Sequence, residues 1–111
     1  MIVEGQIYGG VMQGVGYALM EEMLLDKGKI LNPDFLDYKI PTTMDTFPLD
    51  IAMIETLDPH GPFGAKGIGE VGIIPVAPAI ANAIADAVGI RLRDLPFTCE
   101  KVLAAVKNKA E

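Results

Sequence analysis

Between Gln6 and Met20 the apolar residues Ile7, Val11, Met12, Val15, Ala18 and Leu19 recur every three or four positions, the period of a helix. Gly9, Gly10, Gly14 and Gly16 sit inside the same stretch. A glycine in a helix interior costs on the order of 1 kcal/mol relative to alanine, so this helix forms only where packing offsets the loss. Without a Cβ, its backbone can approach a ligand or a neighbouring helix closely. A tight helix crossing and a ligand-facing surface are both open readings of the same glycines. In either case the segment is expected to lie against something, a second copy or a partner chain included.

The remaining chain reads as short pieces. Glu22–Leu25 and Lys29–Leu31 flank Asp26-Lys27-Gly28, the pattern of a hairpin in which Gly28 supplies the positive φ. Asn32-Pro33-Asp34 turns the chain, Asp37–Pro41 is a brief extended piece ended by its proline, and 42–48 is a loop. Leu49–Leu57, apolar and bounded by Pro48 and Pro59, predicts a strand pairing with the hairpin. From Asp58 to Gly72 the chain is rich in glycine and proline and reads as a loop. Ile74–Val88 returns to helical spacing, with Pro75 and Pro78 tolerated at its start and Gly89 as its stop. Thr98 caps a last helix through Val102, Leu103 and Val106, and Glu100 suits the positive end of its dipole. Strands beside helices rather than alternating with them predict an α+β fold, a small mixed helix and antiparallel-strand domain spanning 1–111.

With 111 residues and a net charge of −6, the chain has length for one domain and lacks the basic face that nucleic acid or an anionic membrane requires. Met1-Ile2-Val3-Glu4-Gly5 has neither the basic nor the apolar region of a signal peptide. Val71–Ala85, the longest uncharged stretch, is too short to span a bilayer. The single cysteine, Cys99, allows no internal disulfide and no iron–sulfur or structural zinc ligand set, which fits a cytoplasmic setting. As a small residue opening a helix, it reads as structural rather than reactive. Half the residues are hydrophobic although aromatics are only 6%. Apolar surface beyond what so short a chain can bury points to contact with another polypeptide, so the chain is expected to be a piece of something larger.

Gly67-Ile68-Gly69-Glu70-Val71-Gly72 matches the G-x-G-x-x-G spacing of dinucleotide-binding turns and leads into a helix. The preceding Asp58–Lys66 cannot be the buried strand that fingerprint requires, and Glu70 would repel a pyrophosphate. The loop does offer a carboxylate on a glycine-rich turn. Ile68, Val71, Ile73 and Ile74 around Glu70 would raise its pKa, while Lys66 and the following helix N-terminus would lower it. Such a group can serve as a general base or remain an ordinary surface glutamate. His60 stands alone beside prolines, so no metal site is self-contained, and there is no serine for a hydrolase triad. The pattern is that of an incomplete site.

Three stretches taken in order carry a resemblance: Glu4–Gly10 with Gln13–Ala18, Asn32–Pro41, and Gly61–Glu70. Together with Arg91–Pro96 and Glu100–Leu103 they resemble the xanthine dehydrogenase and aldehyde oxidase family, specifically the C-terminal part of its molybdopterin-binding large subunit. The resemblance covers essentially the whole chain. It implies that Glu70 is the general base, taking the proton from the oxygen that attacks an electrophilic carbon in an aldehyde or N-heterocycle. It further implies that Gln13 and Gly14 lie by the phosphate end of a molybdopterin-type molybdenum cofactor, and that Lys66, Gly67 and Gly69 line the cofactor side of the loop. That cofactor would be shared with an upstream part of the subunit, which carries most of the contacts and the substrate pocket. Iron–sulfur clusters and FAD are expected on other domains or subunits.

The family subunit is several times longer than 111 residues, and Gly72 stands where many of its members carry proline, which bears on the stiffness of the loop. The chain is therefore expected to be a split-gene subunit or a fragment, to contribute to a molybdenum-dependent oxidoreductase acting on a small-molecule substrate, and to be inactive alone. A non-catalytic remnant or assembly module of such an enzyme is the alternative.

Overall fold

The glycine-bearing stretch is a helix, and it begins earlier than its apolar spacing predicts: α1 runs Ile2–Leu19 in the computed structural model, which describes residues 1–110. The N–H groups of Met20 and Glu21 both reach back to the Gly16 carbonyl, at 2.8 and 2.9 Å, and end it. Helix α2, Val76–Val88, packs on α1. Pro75 precedes it and Pro78 occupies its first turn, where a missing N–H costs nothing. Gly89, at φ 66°, closes it by donating its N–H to the Ala85 carbonyl at 2.9 Å. Helix α3, Cys99–Ala110, starts after Thr98, whose hydroxyl accepts the Lys101 N–H at 3.3 Å. Glu100 accepts its own backbone N–H and a Thr98 hydrogen bond, which hold its carboxyl below the usual glutamate range. Cys99 is exposed at the first position of α3; the expectation that it is a small structural residue is not met, because it sits on the turn that faces away from the core.

The core is small and gathers where α1, the start of α2 and the 90–97 link meet. Ala18 is fully buried, with Val76, Ile90 and Phe97 nearly so, and the Phe97 N–H donates to the Ala18 carbonyl at 2.7 Å. Lys101 ties α3 to the segment after α1 through an ion pair with Glu22 at 3.2 Å.

A two-stranded antiparallel hairpin follows α1. Strands β1 (Leu25–Asp26) and β2 (Lys29–Ile30) place Leu25 opposite Ile30 and Asp26 opposite Lys29. Lys27 and Gly28 both have positive φ, 48° and 83°, the two-residue turn whose twist matches that of the strands. At its base Asn32 is buried. Its Oδ1 accepts the Leu24 N–H at 2.9 Å and its Nδ2 donates to the Glu22 carbonyl at 2.7 Å. Asn32→Leu strands both backbone groups, so we expect thermal unfolding to register a loss of about 1–3 kcal/mol. Asn32→Asp, which keeps only the acceptor, should fall between.

The predicted strand Leu49–Leu57 does not form. Thr42 and Asp45 cap a single 3₁₀ turn at Thr43–Asp45, the Asp45 carboxylate accepting the Thr42 N–H at 2.7 Å. Beyond it, 49–57 carries no secondary structure, and it does not pair with the hairpin. A strand needs a neighbouring edge, and β1 and β2, two residues each, are already paired with one another. Ile54 and Leu57 are 87% and 86% exposed.

The fold is thus α+β, with three α-helices and one small hairpin among the described residues, and a large surface for its size. Accessible area is 8705 Å², against about 6,000 Å² for a compact monomer of this mass. The radius of gyration is 17.7 Å, against about 13 Å expected. Among the described residues no helix is long and apolar enough to cross a membrane.

Candidate active site

Glu70 sits on a run of turns between the 58–69 loop and α2. Its carbonyl accepts the Ile73 N–H at 3.1 Å, and the Ile73 carbonyl accepts the Val76 N–H at 3.2 Å. The run approaches α1 closely through its main chain. A Cβ added at Gly10 would lie 3.2 Å from the Gly72 carbonyl carbon and the Ile73 nitrogen, and one added at Gly72 would lie 3.2 Å from the Ile7 carbonyl oxygen. Only glycine at both positions lets the two main chains come so close without displacement.

Between loop and helix lies a cleft of about 300 Å³, formed by Gly5, Gln6, Gly9, Gly10 and Gln13 of α1 with Gly69, Glu70 and Ile73 opposite. Gly5, Gly9 and Gln13 follow at intervals of four, with Gln6 and Gly10 beside them, so they share one helical stripe. Cβ atoms built on Gly5, Gly9 or Gly69 meet nothing within 4 Å: the glycines keep the wall bare, and side chains there would fill the cleft. Two amide side chains and one exposed carboxylate are its polar groups. Glu70 is exposed and lines the cleft, and among the described residues its carboxylate has no hydrogen-bond or ion-pair partner.

Of the six residues singled out in sequence, Gln13, Gly69 and Glu70 therefore meet in one cleft. Gly14 lies elsewhere, at the α1–α2 crossing, where an added Cβ would come within 2.6 Å of the Val76 side chain. Lys66 and Gly67 line a separate apolar groove, and the Lys66 ammonium donates to the Thr56 hydroxyl. Lys66 is thus occupied by Thr56 and is not one of the groups around Glu70 in the cleft. Of the helix glycines, Gly10 and Gly14 meet neighbouring chain closely, while Gly5 and Gly9 border the open cleft, which Gly10 also lines. Gly5, Gln6 and Ile73 were missed. The four-residue spacing of Gly5, Gly9 and Gln13 was the available signal, hidden because the helix was expected to start at Gln6.

The cleft offers bare glycine backbone along one wall and the Gln6 and Gln13 side-chain amides, which can donate hydrogen bonds. The family "molybdopterin cofactor-binding domain" matches residues 1–47 of the chain, which include the whole helical wall. The xanthine dehydrogenase molybdenum-binding subunit of Escherichia coli O157:H7 is 43% identical over 104 residues, 92% of this chain and 14% of the relative. The nicotine 6-hydroxylase large subunit of Paenarthrobacter nicotinovorans is 44% identical over 111 residues, covering 96% of this chain and 14% of the relative. The crystal structure of quinoline 2-oxidoreductase from Pseudomonas putida 86 superposes with a TM-score of 0.89 at 35% identity, over 96% of this chain and 14% of that one. The fold is that of one stretch of the molybdenum-binding chains of these enzymes. Within that class, the chain corresponds over 92–96% of its length to one stretch of the molybdenum-binding large subunits of xanthine dehydrogenase-type enzymes. It spans about a seventh of the length of the relatives it matches.

Proposed function

We propose that the chain forms one wall of a molybdenum cofactor site in an enzyme of oxidative hydroxylation, as one portion of a larger cofactor-binding domain, and that Glu70 is the general base of that site. The observation that carries the reading is the meeting of Glu70 with the bare glycine stripe and Gln13 in one cleft. When bound, the cofactor supplies a centre that accepts two electrons from the substrate carbon. The chain's own part is to hold the group and to move a proton. Gln6 and Gln13 donate amide hydrogen bonds, Gly5, Gly9 and Gly69 admit the group to the backbone, and a Glu70 carboxylate oxygen takes the proton from the attacking oxygen. The Gly10–Gly72 contact fixes the main chain two residues from Glu70, so the turn that carries the base is set before any substrate arrives, one source of proximity gains. The substrate is an aldehyde or N-heterocycle, and electrons leave through iron–sulfur and FAD units on other polypeptides or domains.

The test separates the chain from its partner. Alone, it should bind no stoichiometric molybdenum and oxidise neither aldehydes nor N-heterocycles with an artificial acceptor. Combined with a molybdenum-binding polypeptide of the family lacking this stretch, it should restore both metal and turnover. Stoichiometric molybdenum on the isolated chain, or full turnover without it, overturns the reading. A second reading, an assembly module without catalysis, draws on the large exposed surface; it requires that turnover be indifferent to Glu70.

Gly9→Ala makes a narrower check on the cleft. Its Cβ enters open space, so helix propensity alone should raise stability by about 0.5–1 kcal/mol. The same methyl intrudes on the cleft, and the assembled protein should retain less molybdenum than the parent after gel filtration. A more stable variant with undiminished metal would take the cofactor away from this wall.

A further inference from the structure

The loop that leads to Glu70 is closed at its neck by successive rungs. A Cβ added at Gly64 would fall 2.6 Å from Leu57 Cδ2, so the Leu57 side chain lies directly on the glycine backbone. Beside it the Asp58 N–H donates to the Gly64 carbonyl at 3.2 Å. The last rung is made by side chains: the Lys66 ammonium donates to the Thr56 hydroxyl. Inside the neck the turn is well braced. The Asp58 carboxylate accepts the His60 and Gly61 N–H groups at 2.8 and 3.2 Å, and the Gly64 and Ala65 N–H groups donate to the Gly61 and Pro62 carbonyls, each at 3.0 Å.

After Lys66 the bracing stops. Among the described residues no backbone group of 66–69 forms a backbone hydrogen bond, and Cβ atoms built on Gly67 and Gly69 meet nothing within 4 Å. Two glycines in three residues give this arm wide conformational freedom. Ile68 between them is half-buried, but apolar packing is non-directional. Glu70 follows at once. Its main chain is therefore held from two ends, downstream by the close approach of Gly72 to α1 and upstream by the bond between Lys66 and Thr56.

We propose that Lys66 and Thr56 are positioning residues for Glu70: their bond fixes where the glycine arm begins, and so where the carboxylate stands in the cleft. The inference rests on the proposed role of Glu70 as the base. Neither residue lines the cleft, so both act through the arm. A charge acting through space needs only the ammonium, whereas a rung needs the hydroxyl as well, and the two are separable.

Thr56→Val in the assembled, molybdenum-loaded protein removes the acceptor while keeping the side-chain shape and the Lys66 charge. It should lower kcat by about 3–30-fold, part of the ~10²-fold that misplacing a reacting group by 1 Å can cost, with KM and molybdenum content unmoved. Thr56→Ser keeps the hydroxyl and should stay within about twofold of the parent. Lys66→Met, which has no donor, should match Thr56→Val, and the double variant should be no slower than either single one, since the same bond is lost. In a Glu70→Gln background Thr56→Val should change the residual rate by less than about twofold, because no base is left to misplace; a merely structural role would slow both backgrounds alike. A neutral Thr56→Val, a loss with Lys66→Met alone, or an equal loss in the Glu70→Gln background overturns the proposal, and a severe Glu70→Gln effect in the same series leaves the general base standing without it. A mild Glu70→Gln effect removes the base itself, and this inference with it.

Discussion

Glu70→Gln in the assembled, molybdenum-loaded protein is expected to lower turnover by about 10²–10⁴-fold while molybdenum content and melting temperature stay where they were. Glutamine keeps the size and the carbonyl oxygen of glutamate but cannot hold a proton taken from the attacking oxygen. Nothing in the fold leans on the carboxylate, which is exposed and has no hydrogen-bond partner among the described residues, so its loss is chemical and not structural. Steady-state rates with an aldehyde and an N-heterocycle, alongside metal analysis, separate the two. Glu55→Gln, beside the neighbouring groove, and Glu100→Gln, on the first turn of α3, should leave rates within about twofold, since neither touches the cleft and surface changes of this kind are small. If Glu70→Gln keeps more than about a tenth of parental turnover, outside the range for a lost base, the role assigned to Glu70 is wrong.

The second large effect is on folding. Gly14→Ala should destabilise the chain by about 1–3 kcal/mol even though alanine is the better helix former by about 1 kcal/mol. The new methyl would fall 2.6, 2.8 and 2.9 Å from the Cβ, Cγ2 and Cγ1 atoms of Val76. A β-branched side chain in a helix has one strongly preferred rotamer, so Val76 cannot swing aside, and α1 and α2 must separate. For a chain of this size, each kcal/mol lowers the melting temperature by about 4–8 °C. Val76→Ala should recover only part of the loss in the double variant, because it removes the two Cγ atoms but keeps the Val76 Cβ, the nearest atom at 2.6 Å. A Gly14→Ala protein that melts at or above the parent would mean the helices are not packed at this seam.

What sequence could show follows a physical divide. Helices α2 and α3 were legible because their signals are local: apolar spacing, Gly89 at the stop, Thr98 at the cap. The hairpin was legible for the same reason, although Lys27 shares the positive φ with Gly28. Leu49–Leu57 misled because strand composition reports the wish for a neighbour and not its presence. Cys99 misled because small apolar character says nothing of which way a helix position faces. At the site, the loop signature isolated Glu70 and Gly69, and the resemblance brought in Gln13. Gly5 and Gln6 stayed hidden, since they gain meaning only once α1 is known to begin at Ile2. Lys66 and Gly67, three and four residues from Glu70, lie along the other groove, a separation that proximity in sequence conceals.

The contact between Gly10 and Gly72 has a consequence for how this surface can change over time. Two main chains touching with no side chain between them leave no spare room and no rotatable bond to absorb an error. Any substitution at either position pushes the loop by a few tenths of an ångström, and Glu70 travels with it. Misplacement on the scale of 1 Å can cost a reaction about 10²-fold. Neighbouring positions can drift and be repaired by compensating partners, but here no second substitution restores the fit, because what must yield is backbone. In this chain the placement of Glu70 is written in two residues that have nothing smaller to become.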